Sequence, residues 1–332
     1  MVTSMTSKTS RFFSAGGARR TLLAAALAVA ALPLAAGAQR DRNRTRDRND
    51  DGDLTTLDTT IAFGVNGTVD LSQVSGPITV TAWNRKEARI NASTEAGSLR
   101  VDLSQSRITL EVRSRRGRMG DSEFRLQVPV GTRVIARNVS GDISVTGTKA
   151  AAELRSVSGD VELSDGADQV TLESVSGSIK GRQVFGTMHL QSVSGDIAMS
   201  GLAGDIDAST VSGELTLLDA KSSNVRFETV SGNAEYRGTL DKSGRYEFKS
   251  HSGSVKLYMP EGSGVSFNVS TFSGSIESVI PMTLEPSDDG TRGRRTRTME
   301  FSLGGGGARV TVRTFSGDIT IERAGGRGKK EE

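Results

Sequence analysis

The dipeptide Ser-Gly recurs along this 332-residue chain with a beat of eighteen residues. Val-Ser-Gly stands at Gly76, Gly141, Gly159, Gly177, Gly195, Gly213 and Gly232, followed by His-Ser-Gly at Gly253 and Phe-Ser-Gly at Gly274 and Gly317. From Gly141 to Gly213 every interval is 18; the beat then widens to 19, 21 and 21 and closes with 43, close to two repeats with an insertion. A fixed period near twenty residues means one structural unit stacked on copies of itself, each too small to bury a core alone.

Reading columns against the glycine shows what that unit is. Five positions before it stand Leu154, Leu172, Leu190, Ala208, Phe227 and Phe248; two positions after it stand Ile143, Val161, Ile179, Ile197, Leu215 and Val255. The residues between are polar, among them Glu153, Arg155, Glu173, Glu162 and Lys180. Alternation with period two on both sides of a glycine turn predicts two short strands per repeat, and helical spacing is absent. The expected fold is all-β: a single-chain, β-helix-like β-solenoid with two short strands per coil of about 18–21 residues. Gly141, Gly159, Gly177, Gly195, Gly213, Gly232, Gly253, Gly274 and Gly317 are its turn residues, expected to need φ > 0.

Two columns beside the turn bear on function. Ser156, Ser174, Ser192, Thr210, Thr229, Ser250, Thr271 and Thr314 form a hydroxyl column. Val157, Val175, Val193, Val211, Val230, His251, Phe272 and Phe315 form an apolar one next to it. Strict alternation turns the hydroxyls inward and the apolar column outward, whereas a bend at the arc reverses them. Burial of the apolar column is the expectation, because apolar columns are ordinarily core; if exposed, it is a partner-binding surface.

The position after the glycine is a partial acidic ladder in which Asp142, Asp160, Asp196 and Glu214 are the candidates for a metal or an acid/base pair. The competing reading, that Asp suits the turn itself, is preferred. His189 and His251 stand about three repeats apart, too far for a shared metal or a Ser–His pair. No catalytic or cofactor-binding residue is assigned, and no cofactor. Gly304–Gly307 reads as a turn, since no helix or lysine follows to make a phosphate cradle.

The chain has no cysteine, which excludes a disulfide framework and cysteine-ligated zinc. Its formal charge is +3, but Lys8, Arg11, Arg19 and Arg20 all precede the apolar run Leu22–Leu34, which ends in Ala36-Gly37-Ala38. This is the pattern of a secretory signal peptide over 1–38 with cleavage near Ala38, and thirteen apolar residues are too few to span a bilayer. Removing these four of the 42 basic residues leaves 38 against 39 acidic ones. The apparent basicity belongs to the signal, so nucleic acid is not an expected partner, and the mature chain has no transmembrane segment. Residues 39–53 read as a charged disordered linker and 324–332 as a polar tail. Between them, 54–323 is the repeat domain: irregular entry coils or a capping meander over 54–135, then Ser-Gly repeats over 136–323 with a basic loop at 287–298, centred on Arg292–Arg297.

Val128-Pro129-Val130-Gly131 leading to Val139-Ser140-Gly141-Asp142-Ile143, Gly76-Pro77-Ile78 and Thr314-Phe315-Ser316-Gly317-Asp318-Ile319 resemble motifs of a bacterial β-strand-repeat family called "putative adhesin", a domain of unknown function. The resemblance spans roughly Ala62 to Arg323. It implies a solenoid outside the cytoplasm and carries no catalytic residues over. The expected function is a non-enzymatic exported protein of adhesion or cell-envelope scaffolding, periplasmic or at the cell surface, with a glycan or protein ligand. The rivals are a carbohydrate-active β-helix enzyme and a filament formed by end-to-end self-association.

Overall fold

The computed structural model describes residues 56–95, 97–113, 120–260, 262, 264–280, 283–284 and 297–324. The expected signal segment 1–38, the linker 39–53, the basic runs Ser114–Arg118 and Arg292–Thr296, and the tail from Gly325 lie outside the described residues.

The described chain is all-β: 25 strands in one continuous sheet, with no helix. Two ladders run through it. A leading ladder is made of strands that enter each Ser-Gly, such as Ala152–Ser158, and a trailing ladder of strands that leave it, such as Val161–Ser164. Within each ladder neighbouring repeats pair in parallel and in register. Leu154 aligns with Leu172, Leu172 with Leu190 and Leu190 with Ala208; Val161 aligns with Ile179, Ile197 and Leu215 in turn. Period-two alternation sends both sets of aligned apolar residues to one interior, and Leu154, Leu172, Leu190, Val161, Ile179 and Ile197 are all fully buried. Each repeat, or level, is named below by its glycine.

The levels of 19 and 21 residues keep this register by placing the extra residues at the edge away from the Ser-Gly turn. Register shifts fall between Ala203 and Ile206, Leu217 and Ala220, and Ser222 and Asn224. The added length surrounds a larger interior, which Phe227, Tyr236, Tyr246 and Phe248 fill with ring centroids 5.4–6.1 Å apart.

At both ends the spatial order departs from chain order. Strand Ala308–Ser316 pairs with Ala234–Ser252 on one side and Val265–Ser273 on the other. The Gly317 level therefore lies between those of Gly253 and Gly274, which corrects a simple reading of the 43-residue interval as two further coils in sequence. Likewise Thr68–Ser75 lies between Arg133–Ser140 and Arg107–Arg113, so the Gly76 level is a regular member of the stack, not an irregular entry coil. Antiparallel strands then finish the sheet: Glu87–Thr94 against Ser122–Pro129, Thr56–Ala62 against Glu87–Thr94, and Arg297–Leu303 against Val265–Ser273. They cover much of the parallel edge that an unfinished stack would present.

Candidate functional site

The five residues around each turn have separate tasks. The first is the hydroxyl, which points inward: Ser174, Ser192 and Thr210 are buried. A buried hydroxyl needs a partner, and in the levels from Gly159 to Gly213 it is the carbonyl of the glycine one level down, whereas Ser250 donates to Gly253 O of its own level. Ser156 donates to Gly141 O (3.4 Å), Ser174 to Gly159 O (3.3 Å) and Thr210 to Gly195 O (3.4 Å). At two levels an amide replaces the hydroxyl, and both Gln73 and Asn138 donate to Gly76 O.

The glycine is fixed chiefly by how closely the levels approach one another. A Cβ on Gly159 would lie 2.2 Å from Gly141 O, and one on Gly195 2.3 Å from Gly177 O. The expectation of φ > 0 holds at Gly141 (φ 142°) and Gly213 (φ 149°), whereas Gly159, Gly177 and Gly195 are excluded from bearing a side chain by the carbonyl below alone.

The acidic ladder also acts within the stack. Asp142 Oδ1 accepts the backbone N–H of Asp160 (2.9 Å), Asp160 that of Ser178 (2.9 Å), and Asp196 that of Glu214 (2.8 Å). Asp318 accepts both the N–H and the hydroxyl of Ser275, which hold its carboxyl below the usual range. Among the described residues no group of three or more His, Asp or Glu side chains is placed to hold a metal ion. Of the candidates, Asp142, Asp160 and Asp196 each accept a backbone N–H of the next level, and Glu214 is the residue whose N–H Asp196 accepts.

The apolar column is exposed, contrary to the expectation that it is core. Val157 is 41% exposed, Val230 47%, Phe272 42% and Phe315 50%; Val175, Val193 and Val211 are half-buried. The cause is the hydroxyl column: once Ser and Thr turn inward to reach the glycine carbonyls, alternation forces their successors out. In spatial order the stripe runs from Val74 through Val139 and the valines to His251, then Phe315 and Phe272. His251 stacks on Phe315 (5.0 Å, 7°) and Phe315 on Phe272 (4.8 Å, 4°).

Beside the stripe, the outer face of the leading ladder is charged and internally paired. Arg107, Asp70, Arg137, Glu153, Arg155 and Glu173 form a chain of alternating ion pairs across five strands, with links of 3.2–3.4 Å. Higher in the stack Arg226, Glu228, Lys249 and Glu247 form another, with links of 2.8, 3.1 and 2.7 Å. Partial burial pushes the Glu228 carboxyl up, but hydrogen bonds from Lys249 and Arg226 outweigh it and hold the group below its ordinary range. Burial would likewise lower Lys249, and its hydrogen bonds to Glu247 and Glu228 raise it instead. His189 lies on this face, its Nδ1 3.5 Å from Asp207 Oδ2, at a distance in the stack from His251. A shallow cleft of about 260 Å³ opens where the register shifts, floored by Met188, Ile206 and Val225 and rimmed by charges of both signs.

Parallel levels repeating at eighteen residues over the middle of the chain are the decisive observation. Residues 110–244 match the Toastrack DUF4097 family. The matched span includes the levels from Gly141 to Gly232, and the family is a domain of unknown function. It bears out the resemblance to a β-strand-repeat family without an assigned activity, and no enzyme family is indicated. No curated protein matches the chain. A solved structure, that of a "putative cell adhesion protein" from Clostridium sporogenes ATCC 15579, is 10% identical over 81% of this chain and 100% of that chain, with a TM-score of 0.21. So low a TM-score gives that likeness no weight in reading the site.

Sequence columns found every residue of the turn except two, Gln73 and Asn138, whose amides break the hydroxyl pattern while making the same bond to a glycine carbonyl. The signal that could have found them was their position two residues before Ser-Gly's serine.

Proposed function

We propose that the protein is a non-enzymatic, exported β-solenoid of 18–21-residue coils that presents a long regular surface for adhesion or cell-envelope scaffolding. The observation that carries this is the outer face of the leading ladder, where ion pairs repeat across successive strands as an extended, solvated, internally satisfied surface. Exposed pairs of this kind contribute about 0–1 kcal/mol each to stability. What they set is the character of the face: polar, near-neutral and patterned at the strand spacing, as suits contact with a glycan or a protein over many weak points. In-register parallel pairing eighteen residues apart supports the coil reading. The basic start, apolar run and Ala36-Gly37-Ala38 support release from the membrane after export.

Two measurements test this. Cells expressing the full chain are fractionated and the released protein's N-terminus is read by mass spectrometry; a start at Gln39 outside the cytoplasm is expected, and an uncleaved cytoplasmic chain removes the export reading. The released protein is then applied to a glycan array and to whole cells. Saturable binding is expected. Turnover of any polysaccharide, lost on replacing Asp142 or Asp160 by Ala, would instead make it an enzyme.

A further inference from the structure

A folded protein seldom leaves a long apolar row facing water, and the stripe from Val74 to Phe272 is such a row, broken once by His251, with Val139, Val157, Val230, Phe272 and Phe315 exposed and Val74, Val175, Val193 and Val211 half-buried. We propose that this stripe is the contact surface for a second copy of the same chain, the two copies lying side by side with a two-fold axis running along the stack. The proposal does not rest on the adhesive role above, and the two surfaces adjoin, since Arg137, Arg155, Glu173 and Glu228 at the edge of the ion-paired face flank the stripe.

Three observations on the stripe select a second copy. The first is pitch. Its side chains repeat once per level, at about 4.8 Å, so a partner that fills every gap must repeat at the same interval, and another copy does so by construction. The second is area. Ten levels make a strip about 45 Å long, and with the adjoining exposed serine column about 10 Å wide; two such strips remove on the order of 1,000 Å² from water, at the low end of specific interfaces. The stacked rings of Phe315 and Phe272 at one end supply large apolar anchors.

The third is charge, which also fixes the orientation. In each level the stripe residue stands between a residue four before the glycine and one immediately after it. An axis along the stack lays each flank on the opposite flank of the same level. Arg137 then faces Asp142, Arg155 faces Asp160 and Arg313 faces Asp318, while Glu173 and Glu228 face the neutral Ser178 and Asn233. No level sets like charges together. An axis across the middle of the stack would do so repeatedly: Arg137 against Arg313, Arg155 against Lys249, Glu173 against Glu228, Asp142 against Asp318. Like charges across an interface oppose association, and complementary ones fix register.

The test uses protein released from cells expressing the full chain. Sedimentation equilibrium should show wild type in a monomer–dimer equilibrium at micromolar concentration. With the axis along the stack each stripe residue meets its own counterpart, so V157D/V230D and V157K/V230K should each raise the dissociation constant at least tenfold, and an equimolar mixture of the two should recover the dimer. Both positions are exposed, and unchanged far-ultraviolet circular dichroism and thermal midpoint confirm that the variants fold. A wild type that stays monomeric at 100 μM (on the order of a weak interface) overturns the proposal. So does a dimer indifferent to both double variants, or a mixture that fails to reassociate.

Discussion

The levels from Gly141 to Gly213 and those from Gly232 onward share one turn and one register but differ in what they enclose. The eighteen-residue levels are filled by Leu154, Leu172, Met188, Leu190 and Ile197; the longer levels hold Phe227, Tyr236, Tyr246 and Phe248. The extra residues leave the Ser-Gly edge untouched, because that edge is fixed at each level by a glycine lying against the carbonyl of the level below. Growth takes place at the opposite edge, where the register shifts between Leu217 and Ala220 and between Ser222 and Asn224 take up the added residues. One edge of the repeat is thus rigid and the other adjustable.

The comparison can be broken most severely at the rigid edge. Gly195→Val places a side chain against Gly177 O and should lower stability by at least about 3 kcal/mol, among the largest effects of single substitutions. Gly305→Ala, at φ +82° with nothing within 4 Å of the added Cβ, should cost only about 1–2 kcal/mol of backbone strain. Unfolding free energies of the two variants from urea titration give the ratio, and equal losses would show that the close approach at Gly195 costs no more than backbone strain at Gly305.

Exchanging interiors is the next test. Leu190→Phe forces an aromatic ring into an eighteen-residue level and should cost about 1–3 kcal/mol by overpacking. If thermal melts show no loss, the short levels already have the room of the long ones.

Smaller effects divide the two tyrosines. Tyr246 donates its hydroxyl to Ser222 O and accepts the N–H of Asp241, whereas the buried Tyr236 hydroxyl has no hydrogen-bond partner among the described residues. Burial raises the pKa of both phenols. Gly238 and Gly244 leave the room these hydroxyls occupy, since a Cβ at either would lie within 2.8 Å of one. Tyr246→Phe should therefore lose about 1 kcal/mol, and Tyr236→Phe should be neutral or stabilising, because an unpaired buried hydroxyl costs about 1–3 kcal/mol. Chemical denaturation of both variants decides it, and equal losses would contradict the assignment of partners.

The smallest effect is that of pH on the longer levels. Glu228 is held below its ordinary range, so its contribution is present above the unfolded carboxylate pKa and lost as pH falls through the folded value; Lys249 is raised, so its contribution is present below the unfolded lysine pKa and lost as pH rises through the folded one. Lys249→Met should flatten the acid limb of the thermal-midpoint profile slightly, whereas Lys180→Glu, at an exposed pair with Asp160, should change the unfolding free energy by less than about 0.5 kcal/mol.

The middle of the fold was legible because repetition averages out local ambiguity: one strand of four residues such as Ile179–Arg182 is a poor signal, but the same apolar column repeated level after level fixes its face. The ends were less legible. Nothing local in Ala308–Ser316 says that it pairs between Ala234–Ser252 and Val265–Ser273, since the closing repeat has the same columns as any other and would fit either place. The exposure of Val157 and Phe315 lay half-hidden in the alternation, and the habit of assigning apolar columns to the core pointed the other way. Only the hydrogen bonds from Ser174 and Thr210 to the glycine carbonyls show why the hydroxyls take the inside.

By itself, then, the sequence determined the strands, the period, the inward columns and the glycine turn, all of which depend on spacing along one chain. Tertiary structure decided which levels are neighbours at the two ends, why Asp142 and Asp160 face the stack as caps, and which apolar column meets water. Those outcomes depend on contacts between residues eighteen to sixty-five positions apart, where a backbone carbonyl two to three ångströms from a neighbouring level outweighs any preference of the side chain itself.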